Sequence, residues 1–137
     1  MHDEAVPSRE VAGVLTRPSP LSVAATLARL EAEIARRGLT LFARFDHAAN
    51  AEAVGMQMPP ATVLVFGSPQ AGTPLMLASP AIAYELPLRV LVHADSAGHT
   101  LVSYADPATL AARYGVTGAL VPVLASVGAL VGDALRR

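Results

Sequence analysis

Residues 22–53, SVAATLARLEAEIARRGLTLFARFDHAANAEA, place a predicted helix, a predicted strand and the beginning of a second helix in direct succession. In the first half, apolar residues recur every three or four positions and predict one buried face on a helix from Ser22 to Arg37. Those positions are Val23, Leu27, Leu30 and Ile34. Gly38 is well suited to end this helix in a left-handed conformation. A helix with one apolar face has to pack on a sheet or on another helix, so this stretch limits the fold to those that provide such a packing layer.

Besides residues 39–45, four runs of the sequence have the composition of strands. They are residues 11–15, 62–66, 83–93 with an interruption at Pro87, and 99–104. The last two are joined by ADSAGH, a polar segment typical of a hairpin turn. Because most of these strands are too close in sequence for parallel crossovers, we expect an α+β fold, an antiparallel sheet with helices packed on one face.

Two further segments predict helical structure. GTPLMLASP, residues 72–80, predicts one short helical turn with Thr73 as the cap, Pro74 as the first helical residue and Pro80 as the stop. A final helical region begins after Asp106 and Pro107 and is divided near residues 115–118, where two glycines lie close together.

Length and composition limit the class of protein. A chain of 137 residues predicts a single domain over residues 1–137, with residues 1–8 as a flexible tail. The net charge of -1 argues against a partner that is a nucleic acid. The N-terminal residues lack the apolar core of a secretory signal, which predicts a cytoplasmic protein. The apolar segment before Asp133 is short of the roughly 20 residues needed to cross a bilayer, so we expect a packed C-terminal helix and no membrane partner.

Alternation along two strands predicts an interaction surface. In residues 39–45, every second residue belongs to one face, which leaves Phe42 and Arg44 on the other. The same counting places Arg89 and Leu91 on the second face of their strand. Arginine and aromatic residues are enriched in protein interfaces, so a homodimer that pairs through this face is expected.

Asp46 and His47 are the first chemically suggestive pair. If the strand ends at Phe45, Asp46 is a helix N-cap and His47 is the first helical residue of HAANAEAVG. Alternatively, His47 is the centre of a reactive or metal-assisted site at the strand ends, with Asp46, Glu85 and the loop from Gly67 to Thr73 around it. Both interpretations are open from the sequence alone.

Other patterns of catalytic or cofactor chemistry are weak. The four histidines, His2, His47, His93 and His99, do not have the spacing of a metal site, and the chain has no cysteine, so neither a metal nor a cofactor is predicted. Ser68 in FGSP lacks the flanking residues of a nucleophile elbow. The absence of lysine also excludes a phosphate-binding loop of the G-x-x-x-x-G-K type.

Four motifs resemble the bacterial and archaeal domain-of-unknown-function family 302. They are the pair Asp46–His47, the turn from Phe66 to Pro69, GTPLM at residues 72–76, and the acid before Leu-Pro at residues 85–87. Ser68 replaces the asparagine of the family pattern, and Glu85 replaces its aspartate. The resemblance implies a layout like that of the TATA-binding protein, strand, helix, four strands, helix, with self-association and without DNA binding. It implies no activity.

Two hypotheses of function follow from the sequence. The first is a small dimeric binding or interaction module without catalysis, with a small-molecule ligand near Asp46, His47, Gly67, Ser68, Thr73 and Glu85. The second is the enzyme or metal-assisted site around His47. They differ in a testable way, because chemistry requires His47, Thr73 and Glu85 to meet at one pocket.

Overall fold

The computed structural model describes residues 11–136, so the tail expected over residues 1–8 lies outside the described residues. Within these residues the chain forms five strands and five α-helices. In chain order these are β1 (Val14–Ser19), α1 (Val23–Arg36), β2 (Thr40–Asp46), α2 (His47–Ala53), β3 (Ala61–Gly67), α3 (Pro69–Ala78), β4 (Leu88–Ala94), β5 (Thr100–Ala105), α4 (Pro107–Tyr114) and α5 (Val121–Leu135). Two 3₁₀ helices, Pro80–Glu85 and Gly118–Leu120, precede β4 and α5 respectively.

The five strands form one antiparallel sheet in the order β1-β5-β4-β3-β2. The two edge strands are consecutive in sequence, and α1 carries the chain from one edge of the sheet to the other. The predicted hairpin is confirmed, since β4 and β5 are neighbours joined by the turn at Asp95, whose amide N–H donates to the carbonyl of His99. The α+β fold expected from the sequence is therefore confirmed.

The core lies between one face of the sheet and helices α1 and α5. Leu30 and Ile34 of α1 are buried against alternate residues of β3, β4 and β5, and α5 contributes Leu130 and Val131. The side chain of Ser22 accepts a hydrogen bond of 3.1 Å from the Ala25 amide, which caps α1. Gly38 has the left-handed conformation predicted for it, with φ of 71°. The sequence pattern of residues 22–38 thus predicted this helix correctly.

The phase of β2 differs from simple alternation. Leu41 pairs with Phe66, but Ala43 pairs with Val65, so a bulge adds one residue at Phe42. A bulge of one residue moves every later side chain to the opposite face. Arg44 therefore shares the helix-covered face with Leu64, and its guanidinium pairs with Glu31 of α1. The prediction that Phe42 and Arg44 share the open face with Arg89 and Leu91 is wrong for Arg44.

Beyond the bulge, the open face receives a different aromatic residue. Phe45 pairs with Val63, which is on the face that the helices do not cover, and 49% of Phe45 is exposed. Arg89 and Leu91 face the same side, since Leu91 also pairs with Val63. Alternation without a bulge predicts Phe45 on the helix-covered face. The bulge places it on the open face instead.

Three predicted elements have different boundaries. The first strand begins at Val14 and includes Pro18, which an edge strand tolerates because one side of its backbone has no pairing partner. The predicted turn at Thr73 is a ten-residue helix that begins at Pro69 and contains Pro74, with Leu75 buried beneath it. Residues 83–85 belong to a 3₁₀ helix and not to β4.

Helix α5 is long and apolar enough to span a membrane by length and composition, together with the short 3₁₀ helix before it. Within the described residues it is a core helix, because Leu124, Val127 and Leu130 are buried against the sheet and the neighbouring helices. The expected packed C-terminal helix and the break between α4 and α5 are both confirmed.

Candidate functional site

A pocket of about 450 Å³ lies at the end of the sheet where β3 ends and α3 begins. Its base consists of the buried side chains Phe66, Leu75, Leu124 and Leu130. Exposed residues of β2, α3 and the segment before β4 surround the opening, among them Phe42, Thr73, Ala83 and Pro87. This volume is in the range of roughly 300–1,000 Å³ that is usual for small-molecule sites.

The local structure keeps this space open on the side of β3. A Cβ added at Gly67 lies 3.7 Å from Pro87 Cβ and 3.8 Å from Phe42 Cε2, and both of these residues line the pocket. Gly72 has the same role on α3, because its added Cβ lies 3.7 Å from Leu86 Cδ1. Both glycines line the pocket with a bare backbone, and the bulge in β2 brings Phe42 to its rim.

The polar side chains of the pocket are three hydroxyls and one guanidinium. Ser126 donates a 2.7 Å hydrogen bond to the carbonyl of Val123, and Ser68 donates to Gln70 Oε1 at 3.3 Å. Thr73 lies on the rim. Among the described residues that line the pocket, Arg37 carries the only charge. The site therefore has an apolar interior and one cation at its edge.

Arg37 is held by two carboxylates. Its Nε donates to Glu33 Oε2 at 2.7 Å, and its Nη2 donates to Asp133 Oδ2 at 2.6 Å. Glu33 also accepts two hydrogen bonds from Arg36, at 3.0 and 2.5 Å, and Asp133 pairs with Arg136 at 2.9 Å. The hydrogen bond from Arg36, followed by that from Arg37, lowers the pKa of Glu33 to about 2. Glu33 is therefore ionised at neutral pH, and the orientation of Arg37 is fixed.

Of the six predicted site residues, the pocket contains three. Gly67, Ser68 and Thr73 line it, while Asp46, His47 and Glu85 do not. Asp46 pairs with Thr62 at one end of β3, whereas Gly67 pairs with Thr40 at the other end. Thr62 and Gly67 are five positions apart, which is roughly 17 Å along a strand. His47 and the loop from Gly67 to Thr73 thus lie at opposite ends of the sheet, so the structure does not bring them together.

Asp46 caps the N-terminus of α2. Its Oδ1 accepts a 2.9 Å hydrogen bond from the amide of Ala49, so the carboxylate is the N-cap of α2. His47 follows as the first residue of that helix and is exposed. The prediction that Asp46 is the N-cap of this helix is confirmed.

Glu85 connects three elements near a second, smaller cavity of about 270 Å³. Tyr114 of α4 donates a 2.6 Å hydrogen bond to Glu85 Oε2, while Arg89 and Arg113 each lie 3.8 Å from the carboxylate. The hydrogen bond to Glu85 is the main cause of a raised pKa of Tyr114. With two cations and a phenol around it, Glu85 fixes the 3₁₀ helix to α4 and β4.

The open face of the sheet carries a polar chain across three strands. His93 Nε2 lies 3.0 Å from Ser103 Oγ, which lies 2.8 Å from Thr16 Oγ1. Desolvation by burial lowers the pKa of His93, so the neutral imidazole is favoured. Within residues 11–136, no group of three or more acidic, histidine or cysteine side chains is placed to hold a metal ion.

Most residues of the pocket carry no signal in the sequence that marks them as a site. The sequence pattern places Arg37 only as the last residue of the predicted helix, although the Glu33–Arg37 spacing indicates an i, i+4 ion pair that holds it. Ser126 interrupts an apolar run in α5, and this polar residue is the indication of a site that the helix offers. Neither signal indicates that both residues face one cavity, because that depends on how α1 and α5 pack.

The fold and pocket define a small α+β domain with a one-sided helical layer and an apolar site at one end of its sheet. The chain belongs to the family described as "Domain of unknown function DUF302", whose model matches residues 15–134. The fold is also that of a crystal structure of an uncharacterised conserved DUF302 protein from Bacillus stearothermophilus. That structure has a TM-score of 0.74 and 19% sequence identity and covers 91% of this chain and 97% of its own.

Two curated relatives are longer proteins. The chain is 39% identical over 102 residues to proteins named "Fluoride-specific ion channel FluC 1" from Brucella suis and Brucella abortus. The match covers 74% of this chain but only 40% and 38% of those proteins. Since the family model covers nearly all of this chain, the matched region lies mainly within the DUF302 domain. The chain thus spans less than half the length of these relatives.

Proposed function

We propose that this protein is a binding module without catalysis, and that its ligand is a small apolar molecule held in the pocket between α3, α5 and the end of the sheet. The observation that carries the proposal is the roughly 450 Å³ pocket with buried apolar residues at its base and polar groups at its rim. Among the described lining residues, the serine and threonine hydroxyls have no adjacent histidine or carboxylate to activate them. Binding is therefore the function that this chemistry supports best.

The test uses an uncharged fluorescent probe, N-phenyl-1-naphthylamine, and one variant that fills the pocket. Ser126→Trp places an indole from an exposed position on α5 into the opening. The matched control is Ala125→Trp, which adds the same group at an exposed neighbouring position outside the pocket. We expect saturable probe fluorescence with the unmodified protein and with Ala125→Trp, and its loss with Ser126→Trp.

Two results would overturn this proposal. The first is the absence of saturable probe binding to the unmodified protein. The second is equal binding by both tryptophan variants, because the probe would then bind somewhere other than this pocket. Thermal unfolding followed by far-ultraviolet circular dichroism establishes that both variants are folded.

The name of the Brucella relatives raises fluoride as a ligand, but the pocket disfavours it. A small anion that leaves water needs several hydrogen-bond donors around it, and burial without them is costly. Most of the lining here is apolar, and Arg37 is the only cation among the described lining residues, so a bare anion would find few donors. We therefore propose that this domain has a binding function separable from ion conduction. Its cytoplasmic location stays a prediction.

We also propose that two copies pair through the open face of the sheet. Phe45 is half exposed there, next to Val63 and Leu91, and within residues 11–136 no helix covers this face. Phe45→Glu should prevent pairing, because it places an unpaired carboxylate at the centre of the interface. Leu77→Glu, at a residue of α3 that is 79% exposed, is the control.

Sedimentation velocity at micromolar concentrations tests this second proposal. We expect a dimer for the unmodified protein and for Leu77→Glu, and a monomer for Phe45→Glu. A monomer in every case contradicts self-association. A dimer that survives Phe45→Glu contradicts the open face as its interface.

A further inference from the structure

The charges around the pocket favour an apolar ligand that also carries a negative charge. Three arginines, Arg36, Arg37 and Arg136, surround the two carboxylates Glu33 and Asp133. This cluster has one more positive than negative charge, and Glu33 stays ionised because its pKa is lowered to about 2. The excess positive charge lies beside an otherwise apolar pocket. An occupant with one negative charge complements that distribution.

Arg37 is the charged group that lines the pocket among the described residues, and its contacts leave one nitrogen for a ligand. Nε and Nη2 are each used by one carboxylate, at 2.7 and 2.6 Å. Within residues 11–136, Nη1 makes no hydrogen bond to the protein. Since a guanidinium has five donors in a rigid plane, fixing two of its nitrogens also fixes the direction of the third. Nη1 can therefore donate to a carboxylate at the rim with little further loss of side-chain freedom.

We propose that the ligand is an amphipathic monocarboxylate, whose apolar chain lies in the pocket and whose carboxylate binds Arg37 at the rim. This inference rests on the function proposed above and adds the class of ligand. The apolar chain contacts the buried base formed by Phe66, Leu75 and Leu130. The carboxylate stays at the partly exposed edge, where one-quarter of the Arg37 side chain is accessible to solvent. This arrangement removes the apolar part from water and leaves the charge hydrated and paired.

Decanoate and decanol provide a matched pair of probes, because they have the same chain length and differ in the charged end. Isothermal titration calorimetry at pH 7.5 measures both. We expect the unmodified protein to bind decanoate about tenfold more tightly than decanol. Arg37→Gln should reduce the affinity for decanoate to about that for decanol. Arg37→Lys, which keeps the charge, should recover part of the difference.

Arg36→Gln is the control for the ion-pair cluster. Arg36 shares the carboxylate of Glu33 with Arg37 but does not line the pocket. The Arg36→Gln variant should therefore keep most of the preference for decanoate over decanol. A larger loss with Arg36→Gln than with Arg37→Gln contradicts a direct contact with Arg37.

The outcomes separate this inference from the proposed function. Equal affinity for decanoate and decanol, both abolished by Ser126→Trp, overturns the carboxylate and leaves the apolar pocket intact. An unchanged preference in Arg37→Gln also overturns it, because the charge would then bind elsewhere. No binding of either probe contradicts both the ligand class and the pocket as a binding site.

Discussion

Leu30 of α1 tests whether this helix is held by the buried face that its sequence predicts. The side chain is fully buried among residues of α5 and the sheet. Leu30→Ala removes three carbon atoms, and about 0.8 kcal/mol for each buried methylene gives about 2.4 kcal/mol of lost transfer free energy. A residual hole of about 60 Å³ adds about 1.4 kcal/mol at roughly 24 cal/mol per Å³. We therefore expect the free energy of unfolding to fall by about 4 kcal/mol.

Urea unfolding followed by circular dichroism measures this change by linear extrapolation. Leu77→Ala is the control, because the same atoms are removed from a side chain that is 79% exposed. We expect that variant to change the free energy of unfolding by less than about 0.5 kcal/mol, as for most surface substitutions. A loss below about 0.5 kcal/mol for Leu30→Ala would refute the packing of α1 on this face.

Three further predictions concern single polar groups. Asp46→Ala should reduce the free energy of unfolding by roughly 0.5–2 kcal/mol through loss of the N-cap of α2, and Asp46→Asn should retain most of it in the same urea assay. Because the folded pKa of Glu33 is lowered to about 2, its contribution to stability is complete above its ordinary pKa of 4.5 and is lost as the pH falls toward 2. Glu33→Gln should weaken this dependence in unfolding experiments between pH 5 and pH 2. Burial lowers the folded pKa of His93, so stability should decrease as the pH falls below its ordinary value of 6.5, and His93→Gln should reduce that decrease.

Local patterns predicted the elements whose signals lie within one stretch of chain. The apolar spacing of α1, the cap at Asp46 and the division between α4 and α5 depend on residues a few positions apart, and all three are present in the structure. The helix at Pro69 was predicted too short because Thr73 and Pro74 have the same cap and first-turn pattern as Ser68 and Pro69. Burial of Leu75 favours the longer helix, and that contact is not visible in a local pattern.

The pocket could not be predicted as a unit. Its lining comes from α1, β2, β3, α3, the segment before β4, and α5, which are spread over most of the chain. The family motifs indicated Gly67, Ser68 and Thr73, because these residues are close in sequence. They also suggested His47, which lies at the other end of β3, and Glu85, whose carboxylate pairs with Tyr114 and does not line the pocket. Convergence depends on the direction of each strand, and residue type alone does not give that direction.

The bulge in β2 determines which of its side chains face the helices and which lie on the open face of the sheet. Before the bulge, Leu41 packs toward the helices, and Phe42 at the bulge reaches the rim of the pocket. After it, Phe45 faces away from the helices, and Arg44 turns toward Glu31 of α1. Without the bulge, continued alternation would place Phe45 on the helix side and Arg44 on the open face. The proposed ligand pocket and the proposed dimer surface therefore depend on the same local irregularity. Because β2 is an edge strand, it can accommodate that irregularity while keeping its pairing with β3.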